Sequence, residues 1–308
     1  MDEKKFSEVY SCWKEEKSRT VKQSTMSLYS YLAERWLIPA FGESVRIEGH
    51  AVQAFADGRL ASGSSVRAVR QMLHVLRMIA GYGGRHGMME YEAWNVVLPP
   101  SRHACEVQVF SVADQRRMMQ WLDGHFSFRN LGIYICLCTG LRIGEICGLR
   151  WTDVDAAEGV IHVRRTVSRI YVGEGGERQT RIVVSTPKTE RSARTVPMGS
   201  DLQRKMRRLM PLVSGDCYVV SNDNEPLEPR RYRSYYAGVM RRLGLPPLKF
   251  HALRHSFATR CIESRCDCKT VSAILGHSTV STTLNLYVHP GIEERRKCVN
   301  KMLRSLMK

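Results

Sequence analysis

Hydrophobic residues recur at helical spacing through the first part of the chain. Segments 20–37 and 64–82 each carry apolar side chains three and four positions apart, as on one side of an α-helix. The residues that define these two faces are Leu28, Tyr31, Leu32, Arg35 and Trp36 in the first segment, and Val69, Leu73, Leu76 and Ile79 in the second. The pattern predicts a small all-α N-terminal domain over residues 1–88.

The helical pattern stops between residues 89 and 110, which we interpret as a linker. Pro99 and Pro100 have a fixed backbone angle and no N–H donor, so they do not continue a helix. A new helix is predicted from Ser111, whose hydroxyl can cap it while Asp114 occupies its third position. This helix opens a second domain, 111–290.

Alternation typical of β-strands appears in the middle of the second domain. Four short segments carry it: 160–163, 166–171, 181–185 and 195–198. The glycine-rich stretch 173–176 between two of them predicts a hairpin turn, because no helix follows it as in a phosphate-binding loop. Helical spacing returns after Asp201. The predicted fold class is mainly α with a small antiparallel β-sheet: an α+β second domain plus the all-α N-terminal domain.

The charge of the chain points to a polyanionic partner. Its 47 Lys and Arg residues exceed its 30 Asp and Glu residues, which gives a formal net charge of +17. Residues 1–100 contain 13 basic and 11 acidic side chains, whereas 101–308 contain 34 and 19, so the excess lies in the second domain. A basic surface of this kind favours nucleic acid. A hydrophobic content of 43% excludes disorder as the main state.

Neither a membrane segment nor an export signal is evident. Apolar stretches are interrupted by Arg or Glu before they reach the ~20 residues that a spanning helix needs, and the N-terminus lacks the apolar core of a secretory signal. The ten cysteines have irregular spacing, which favours reduced intracellular thiols. Cys261, Cys266 and Cys268 are a weak zinc candidate, since C-x-C lacks the usual two-residue gap. We expect no metal and a cytoplasmic location.

Four separated motifs of the second domain carry candidate chemistry. They are TGLRIGEICGL at 139–149, STPKTERSARTVPM at 185–198, HALRHSFATR at 251–260 and LGHSTVSTTLNLYVH at 275–289. In this order they resemble the tyrosine recombinase (phage integrase) family, and the N-terminal helices more loosely resemble its core-DNA-binding, SAM-like domain. The resemblance implies a catalytic domain over 111–290 and site-specific cleavage and rejoining of double-stranded DNA.

The resemblance assigns Arg142 and Arg254 to the scissile phosphate. Arginine suits that role because its guanidinium stays charged and directs two N–H groups at one anion. His251 precedes Arg254 by three residues, so on a helix both lie on one face. His251 could donate to the phosphate or move a proton.

Two further cationic positions follow from the same motifs. The resemblance implies that Lys188 protonates the leaving 5′ oxygen and that His277 binds a phosphate oxygen; for Lys188 alone, a solvated turn lysine would be the simpler interpretation. Glu145 could orient Arg142, although a surface pair worth ~0.2–0.5 kcal/mol is the alternative.

Tyr287 is the predicted nucleophile. Its attack on phosphorus would give a 3′-phosphotyrosine and a free 5′ hydroxyl, which preserves the bond energy for rejoining. Neighbouring cations must favour the phenolate, because a phenol has a pKa of ~10. A two-metal nuclease would instead need clustered carboxylates, which these motifs lack. No cofactor is predicted.

The tail 291–308 places Val299, Met302, Leu303 and Leu306 on one face of a basic helix. Packing within its own subunit is one interpretation; the resemblance favours exchange between protomers of a DNA-bound homo-tetramer that acts through a Holliday junction. The chain begins close to the helical domain, so we expect no additional arm-binding domain.

We predict an integrase of a mobile element, associated with the nucleoid of a prokaryotic host, with an accessory directionality factor as a further expected partner. The alternatives are a chromosome-dimer-resolving recombinase, a type IB topoisomerase-like strand transferase and a non-catalytic DNA-binding homologue. One departure from the family pattern is Arg265, where relatives commonly have Gly. A left-handed backbone there would cost of order 1–2 kcal/mol.

Overall fold

The computed structural model describes residues 3–100, 107–172, 179–186, 193–277 and 279–287, together with 296, 299–300 and 302–304. For residues 285–287 it describes the backbone. The chain divides into two compact units. The first contains Met1–Cys105 and Arg169–Ile182, and the second contains Glu106–Ser168 and Val183–Lys308.

The first unit is built of helices. They are α1 (Phe6–Thr20), α2 (Gln23–Leu32), α3 (Ile38–Phe41), α4 (Gly49–Ala61) and α5 (Val66–Arg85), with one π-helical turn at Ala33–Leu37. The α5 helix begins at its cap Ser65, whose hydroxyl accepts from the Ala68 N–H. The predicted α5 face is confirmed, since Val69, Leu73, Leu76 and Ile79 are buried.

The helix predicted over 20–37 differs from the structure. The chain is extended at Val21, and α2 begins only at Gln23. Of the predicted face, Leu32 is buried, but Leu28 and Tyr31 are exposed, and α2 also buries Met26 and Ser30. The reason is partly non-local: Tyr31 packs edge-on against the ring of Tyr171, with the ring centroids 5.7 Å apart. The sequence pattern alone does not reveal that partner.

The second unit combines helices with short strands. Its helices are α6 (Val112–Gly124), α7 (Phe128–Thr139), α8 (Ile143–Gly148), α9 (Ser200–Leu209), α10 (Pro229–Arg242), α11 (His251–Glu263), α12 (Cys268–Leu275) and α13 (Val280–Tyr287). Its strands are β1 (Val154–Asp155), β2 (Val160–Val163) and β5 (Arg194–Pro197), while β3 (Thr166–Tyr171) and β4 (Thr180–Ser185) pair with each other and cross the division between the units.

The strands β1, β2 and β5 form an antiparallel sheet in the order β1-β2-β5. Ile161 of β2 lies opposite Val196 of β5, and both side chains are fully buried. The sheet thus contributes one apolar face to the core and fixes the start of β5, which matters for the site. The predicted fold class is confirmed.

The predicted start of the second domain's first helix is also confirmed. The Ser111 hydroxyl accepts from the Asp114 N–H at 3.0 Å and caps α6. The largely buried helix α7 ends where Gly140 adopts a left-handed conformation. On α10, Tyr232 and Tyr236 are buried in the core. Within the described part of the chain, no helix combines the length and apolar character needed to cross a bilayer.

Candidate active site

The site starts at the N-terminus of α8, where the sequence Arg142-Ile143-Gly144-Glu145 enters the helix. Glu145, at the third helical position, accepts from the Arg142 backbone N–H at 2.8 Å, which satisfies a donor that the helix itself leaves unpaired. Gly144 is required by close packing, because a Cβ there would lie 2.6 Å from the Thr166 hydroxyl oxygen and 2.8 Å from the Val167 carbonyl oxygen. This packing holds Arg142 at the helix entrance.

The Glu145 carboxylate is buried and bonds two arginines. Arg142 Nη1 lies 2.8 Å from Oε1, and Arg194 places Nη1 and Nη2 at 3.0 Å from Oε1 and Oε2 respectively. Burial would raise the pKa of Glu145, but the hydrogen bond and charge of Arg194, followed by the charge of Arg142, hold the pKa below its ordinary value. Glu145 is therefore ionised at neutral pH. The Arg142–Glu145 pair is thus part of a buried ion network, and the alternative of a weak helix-surface pair does not apply.

Arg254 lies on α11 and is only 2% exposed. Its Nη1 donates to the Gly140 carbonyl and its Nη2 to the Leu275 carbonyl, both at 2.8 Å. These carbonyls belong to the ends of α7 and α12, where helices leave acceptors without internal partners. The same α11 helix begins at His251, so His251 and Arg254 lie one turn apart, as predicted.

The C-terminal end of α12 accepts from three arginines in succession. Ile274 O accepts from Arg194 Nε at 2.6 Å, Leu275 O from Arg254 Nη2 at 2.8 Å and Gly276 O from Arg142 Nη2 at 2.9 Å. A helix C-terminus carries partial negative charge, so it stabilises cations placed beside it. Gly276 has φ +65° there, and a Cβ would lie 2.9 Å from Arg194 Cδ. The turn that follows carries His277.

The two predicted histidines lie in this cationic environment. Desolvation, then the positive charges of Arg254, Arg142 and Arg194, lower the pKa of His277 to about 4. For His251, desolvation acts first and His255 and Arg254 next, and the pKa is again lowered to about 4 although part of the residue is exposed. Both imidazoles are therefore neutral at pH 7 in the DNA-free chain. A neutral imidazole can accept a proton or donate its single N–H.

His277 has a defined partner on the next helix. Its Nδ1 lies 2.8 Å from the hydroxyl oxygen of Thr283, which is fully buried on α13. A bond at one ring nitrogen fixes the ring orientation and leaves the other nitrogen, Nε2, as the one available for a ligand.

The structure thus brings together four of the six predicted site residues: Arg142, His251, Arg254 and His277. Lys188 lies outside the described residues. The backbone of Tyr287 forms the last position of α13, a helix that packs against α11 and α12, while its side chain lies outside the description. The roles of all six residues stay predictions.

Two residues of this network were not singled out by the sequence. Arg194 lies within the motif that was noted for Lys188, and Thr283 lies within the motif noted for His277 and Tyr287. Their partners, Glu145 and His277, are 49 and 6 positions away. A basic residue at the start of a strand and a helical threonine give no signal of such contacts by themselves.

Among the described residues, no group of three His, Cys, Asp or Glu side chains is placed to hold a metal ion. The cysteines in the described part of the chain, including Cys261, Cys266 and Cys268, are free. In the described part of the site, the charged groups are Arg142, Arg194 and Arg254 with the Glu145 carboxylate.

Fold and site together present arginine and histidine side chains on a helical scaffold, an arrangement that suits enzymes acting on a phosphodiester. Comparison with known proteins identifies the family. Residues 110–294 match the phage integrase family, and residues 5–44 match the N-terminal SAM-like domain of phage integrases. The chain belongs to the phage integrase family of tyrosine recombinases, and its predicted class of activity, DNA strand cleavage and religation, is confirmed.

Individual relatives agree with this assignment. A "Tyrosine recombinase XerC-like" protein of Caldanaerobacter subterraneus subsp. tengcongensis is 29% identical over 268 residues, which cover 79% of this chain and 67% of the relative. The solved structure of the Tn1549 transposon integrase (residues 82–397) with transposon right end DNA superposes with a TM-score of 0.77 at 20% identity, covering 97% of this chain and all of that one. A lambda integrase tetramer bound to a Holliday junction gives a TM-score of 0.64 at 15% identity, covering 94% and 80%. At these identities the two structures establish the fold.

Proposed function

We propose that the chain is the site-specific recombinase of a mobile element and that it exchanges DNA strands through a 3′-phosphotyrosine intermediate. The observation that carries this proposal is the convergence of Arg142, Arg254 and His277 at the end of α12. The next helix in the chain, α13, ends at Tyr287. Within the described residues, three arginines and one carboxylate give the site a net positive charge, which suits an anionic phosphodiester.

In the proposed reaction, the Tyr287 phenol oxygen forms a bond to phosphorus while the bond from phosphorus to the 5′ oxygen breaks. The phenol proton passes to a base, and the leaving oxygen takes a proton from Lys188. Arg142 and Arg254 stabilise the charge that develops on the non-bridging oxygens. Rejoining is the reverse reaction with the 5′ hydroxyl of a second strand, so no external energy source is needed.

We assign His251 as the group that accepts the phenol proton. Its lowered pKa leaves the imidazole neutral at pH 7 and able to take a proton. The bound phosphodiester would raise that pKa, since an anion favours the charged imidazolium. We assign His277 as a phosphate hydrogen-bond donor through Nε2, because Nδ1 faces Thr283.

The test is trapping of the covalent intermediate. A duplex selected from random-sequence DNA by repeated binding to the purified chain would be prepared with a nick at successive positions, so that a short 5′-hydroxyl fragment diffuses away after cleavage. Denaturing electrophoresis should then show a protein–DNA adduct. Tyr287→Phe should abolish the adduct and retain DNA affinity.

Tyr235→Phe is the matched control. Tyr235 also lies on a basic helix, but its hydroxyl donates to Asn130 Oδ1 at 2.7 Å, so this variant should still form the adduct. An adduct that persists in Tyr287→Phe would contradict the proposed nucleophile. Loss of all cleavage in EDTA, with recovery on addition of Mg²⁺, would contradict the phosphotyrosine mechanism and support a metal nuclease.

We further propose that the active assembly on synapsed DNA is a homo-tetramer. Residues 1–88 would bind the core site, 89–110 would link the domains, and 111–290 would catalyse. In the tail 291–308, the described side chains Val299, Met302 and Leu303 are each about half exposed, which is consistent with packing on another protomer. Deletion of 291–308 should weaken synapsis and strand exchange more than binding to one half-site. Unchanged synapsis would contradict tail exchange.

A second candidate is chromosome-dimer resolution, which is consistent with the similarity to a XerC-like tyrosine recombinase across 79% of this chain. Recombination assays that pair two copies of one site, compared with pairs of element and target sites, distinguish the two functions. A type IB topoisomerase-like enzyme would instead relax supercoiled DNA without a second site. In either recombination role we place the protein at the nucleoid in the cytoplasm of a prokaryotic cell, with a directionality factor as an accessory partner.

A further inference from the structure

Arg194 is the most constrained arginine of the site outside the predicted catalytic set. It lies at the first position of β5, and its side chain is 7% exposed. Its Nη1 and Nη2 each lie 3.0 Å from a different oxygen of Glu145, and its Nε donates to the Ile274 carbonyl at 2.6 Å. These bonds engage all three nitrogens of the guanidinium, and its small exposure leaves Arg194 little surface for a direct contact with DNA.

The bonds connect the two segments that carry the phosphate-binding groups. Glu145 also accepts from Arg142, and Ile274 lies two residues before Gly276, whose carbonyl accepts from Arg142. Arg194 therefore bonds one acceptor of the Arg142 side chain, the Glu145 carboxylate, and holds the helix end that carries the other, the Gly276 carbonyl.

Charge gives Arg194 a second effect. Arg142 and Glu145 alone form a neutral pair, in which the full attraction of the carboxylate would hold the guanidinium away from a phosphate. With Arg194 bonded to both carboxylate oxygens, the three groups together carry one net positive charge. Arg142 is 36% exposed, so it is the arginine of the pair that can direct this charge at an incoming anion.

We propose that Arg194 is a positioning residue for DNA cleavage, which orients Arg142 toward the scissile phosphate by sharing Glu145 and by holding the end of α12. The inference rests on the proposed function. Arginine is needed for it because a lysine ammonium is a point charge and lacks the planar fork that bonds two carboxylate oxygens and a carbonyl together.

The experiment compares two substrates at saturating protein: the selected nicked duplex with an ordinary scissile phosphate, and the same duplex with a methylphosphonate there. The methylphosphonate is neutral, so cleavage of it has less need of the Arg142 charge. Arg194→Gln should slow cleavage of the phosphodiester about 10- to 100-fold, as is typical when the partner of a reacting group is removed. It should slow cleavage of the methylphosphonate less than about threefold.

Arg142→Ala serves as the reference variant. It should slow cleavage of the phosphodiester more than Arg194→Gln does, and it should likewise affect the methylphosphonate less. Arg194→Lys keeps a positive charge beside Glu145 and so is less disruptive to folding. Its cleavage rate should fall less, with the same preference for the neutral substrate. The matched control is Arg165→Gln, which removes another arginine from a buried carboxylate, that of Asp153 at 2.5 Å. This control should affect both substrates equally.

Equal slowing of both substrates by Arg194→Gln and Arg194→Lys would show a merely structural crosslink and overturn the inference, as would wild-type rates in both variants. Failure of the wild-type chain to form any adduct would instead overturn the proposed function. Absence of substrate selectivity in Arg142→Ala, with a normal wild-type adduct, would overturn the role of Arg142 and with it that of Arg194.

Discussion

His277 and Thr283 are joined by a hydrogen bond across the turn between α12 and α13, with 2.8 Å between Nδ1 and the hydroxyl oxygen. Because Thr283 is fully buried, its hydroxyl depends on partners within the protein. The bond therefore determines which way the ring of His277 faces. It also connects the loop after α12 with the helix whose last residue is Tyr287.

Thr283→Val should therefore slow cleavage with little change in DNA affinity. Valine has nearly the same shape but leaves Nδ1 without a partner, and we expect a loss of about 10- to 100-fold in the cleavage rate at saturating protein. Single-turnover adduct formation measures the rate, and filter binding measures the affinity. Thr283→Ser, which keeps the hydroxyl, should retain most of the rate; an equally slow serine variant would contradict the role of this bond.

The DNA-free protein should become less stable as the pH falls from 7 toward 4. Desolvation first, and the surrounding cations second, lower the pKa values of His251 and His277 to about 4, from an ordinary value of 6.5. Below pH 6.5 the unfolded chain binds protons at these positions that the folded chain does not. The free energy of unfolding is therefore highest above pH 6.5, where both imidazoles are neutral in either state, and it decreases as the pH falls from 6.5 toward 4.

Thermal unfolding at pH 7 and pH 4.5 tests this expectation. The double variant His251→Gln/His277→Gln should show a smaller decrease in melting temperature between the two pH values than the wild type. His50→Gln is the control, because His50 is exposed on α4, and it should behave as the wild type. Identical pH dependence in the double variant would contradict the lowered pKa values.

Lys188→Ala should slow cleavage of an ordinary site, and a sulfur atom in place of the 5′ leaving oxygen should restore the rate. A thiol has a pKa of ~8.5, so a thiolate leaves without a proton, whereas an alkoxide needs a general acid. Adduct formation with both duplexes measures the effect. Lys205→Ala serves as control because Lys205 is paired with Asp123, and it should not distinguish the substrates. A Lys188→Ala defect that persists with sulfur would exclude the general-acid role.

Arg265→Gly should stabilise the second unit by about 1 kcal/mol. Arg265 has φ +60°, which is the left-handed conformation that was considered for this position from the sequence. A residue with a Cβ is less stable in that conformation by roughly 1–2 kcal/mol. Part of this gain is offset by the greater freedom of glycine in the unfolded chain. Urea unfolding measures the change. Arg265→Ala keeps the Cβ and should not stabilise; equal stabilisation by alanine would point to the arginine side chain instead of the backbone.

Local sequence patterns were sufficient to predict several helices and strands of the second unit. The cap at Ser111 and the strands near 160–163 and 195–198 were predicted from residues close together in the chain, and the structure contains each of them. Spacing also placed His251 and Arg254 on one helix. In these cases the residues that decide the structure are neighbours in the sequence.

The contacts that complete the site are long-range and could not be predicted in this way. The pairing of Arg194 with Glu145 depends on how β5 lies against α8, and a basic residue at a strand end is usually solvated. The burial of Glu145 turns a weak helix-surface pair into a shared ion network. Likewise, the face that α2 buries depends on α1 and on Tyr171, which no periodicity in 20–37 reveals.

The three consecutive carbonyls at the end of α12 have a mechanical consequence. Arg194, Arg254 and Arg142 each depend on one of them, so a slight unwinding of this single helical turn removes a support from every one of the three guanidinium groups. The three arginines should therefore keep or lose their positions together, so a molecule that binds at the last turn of α12 would alter all three at once.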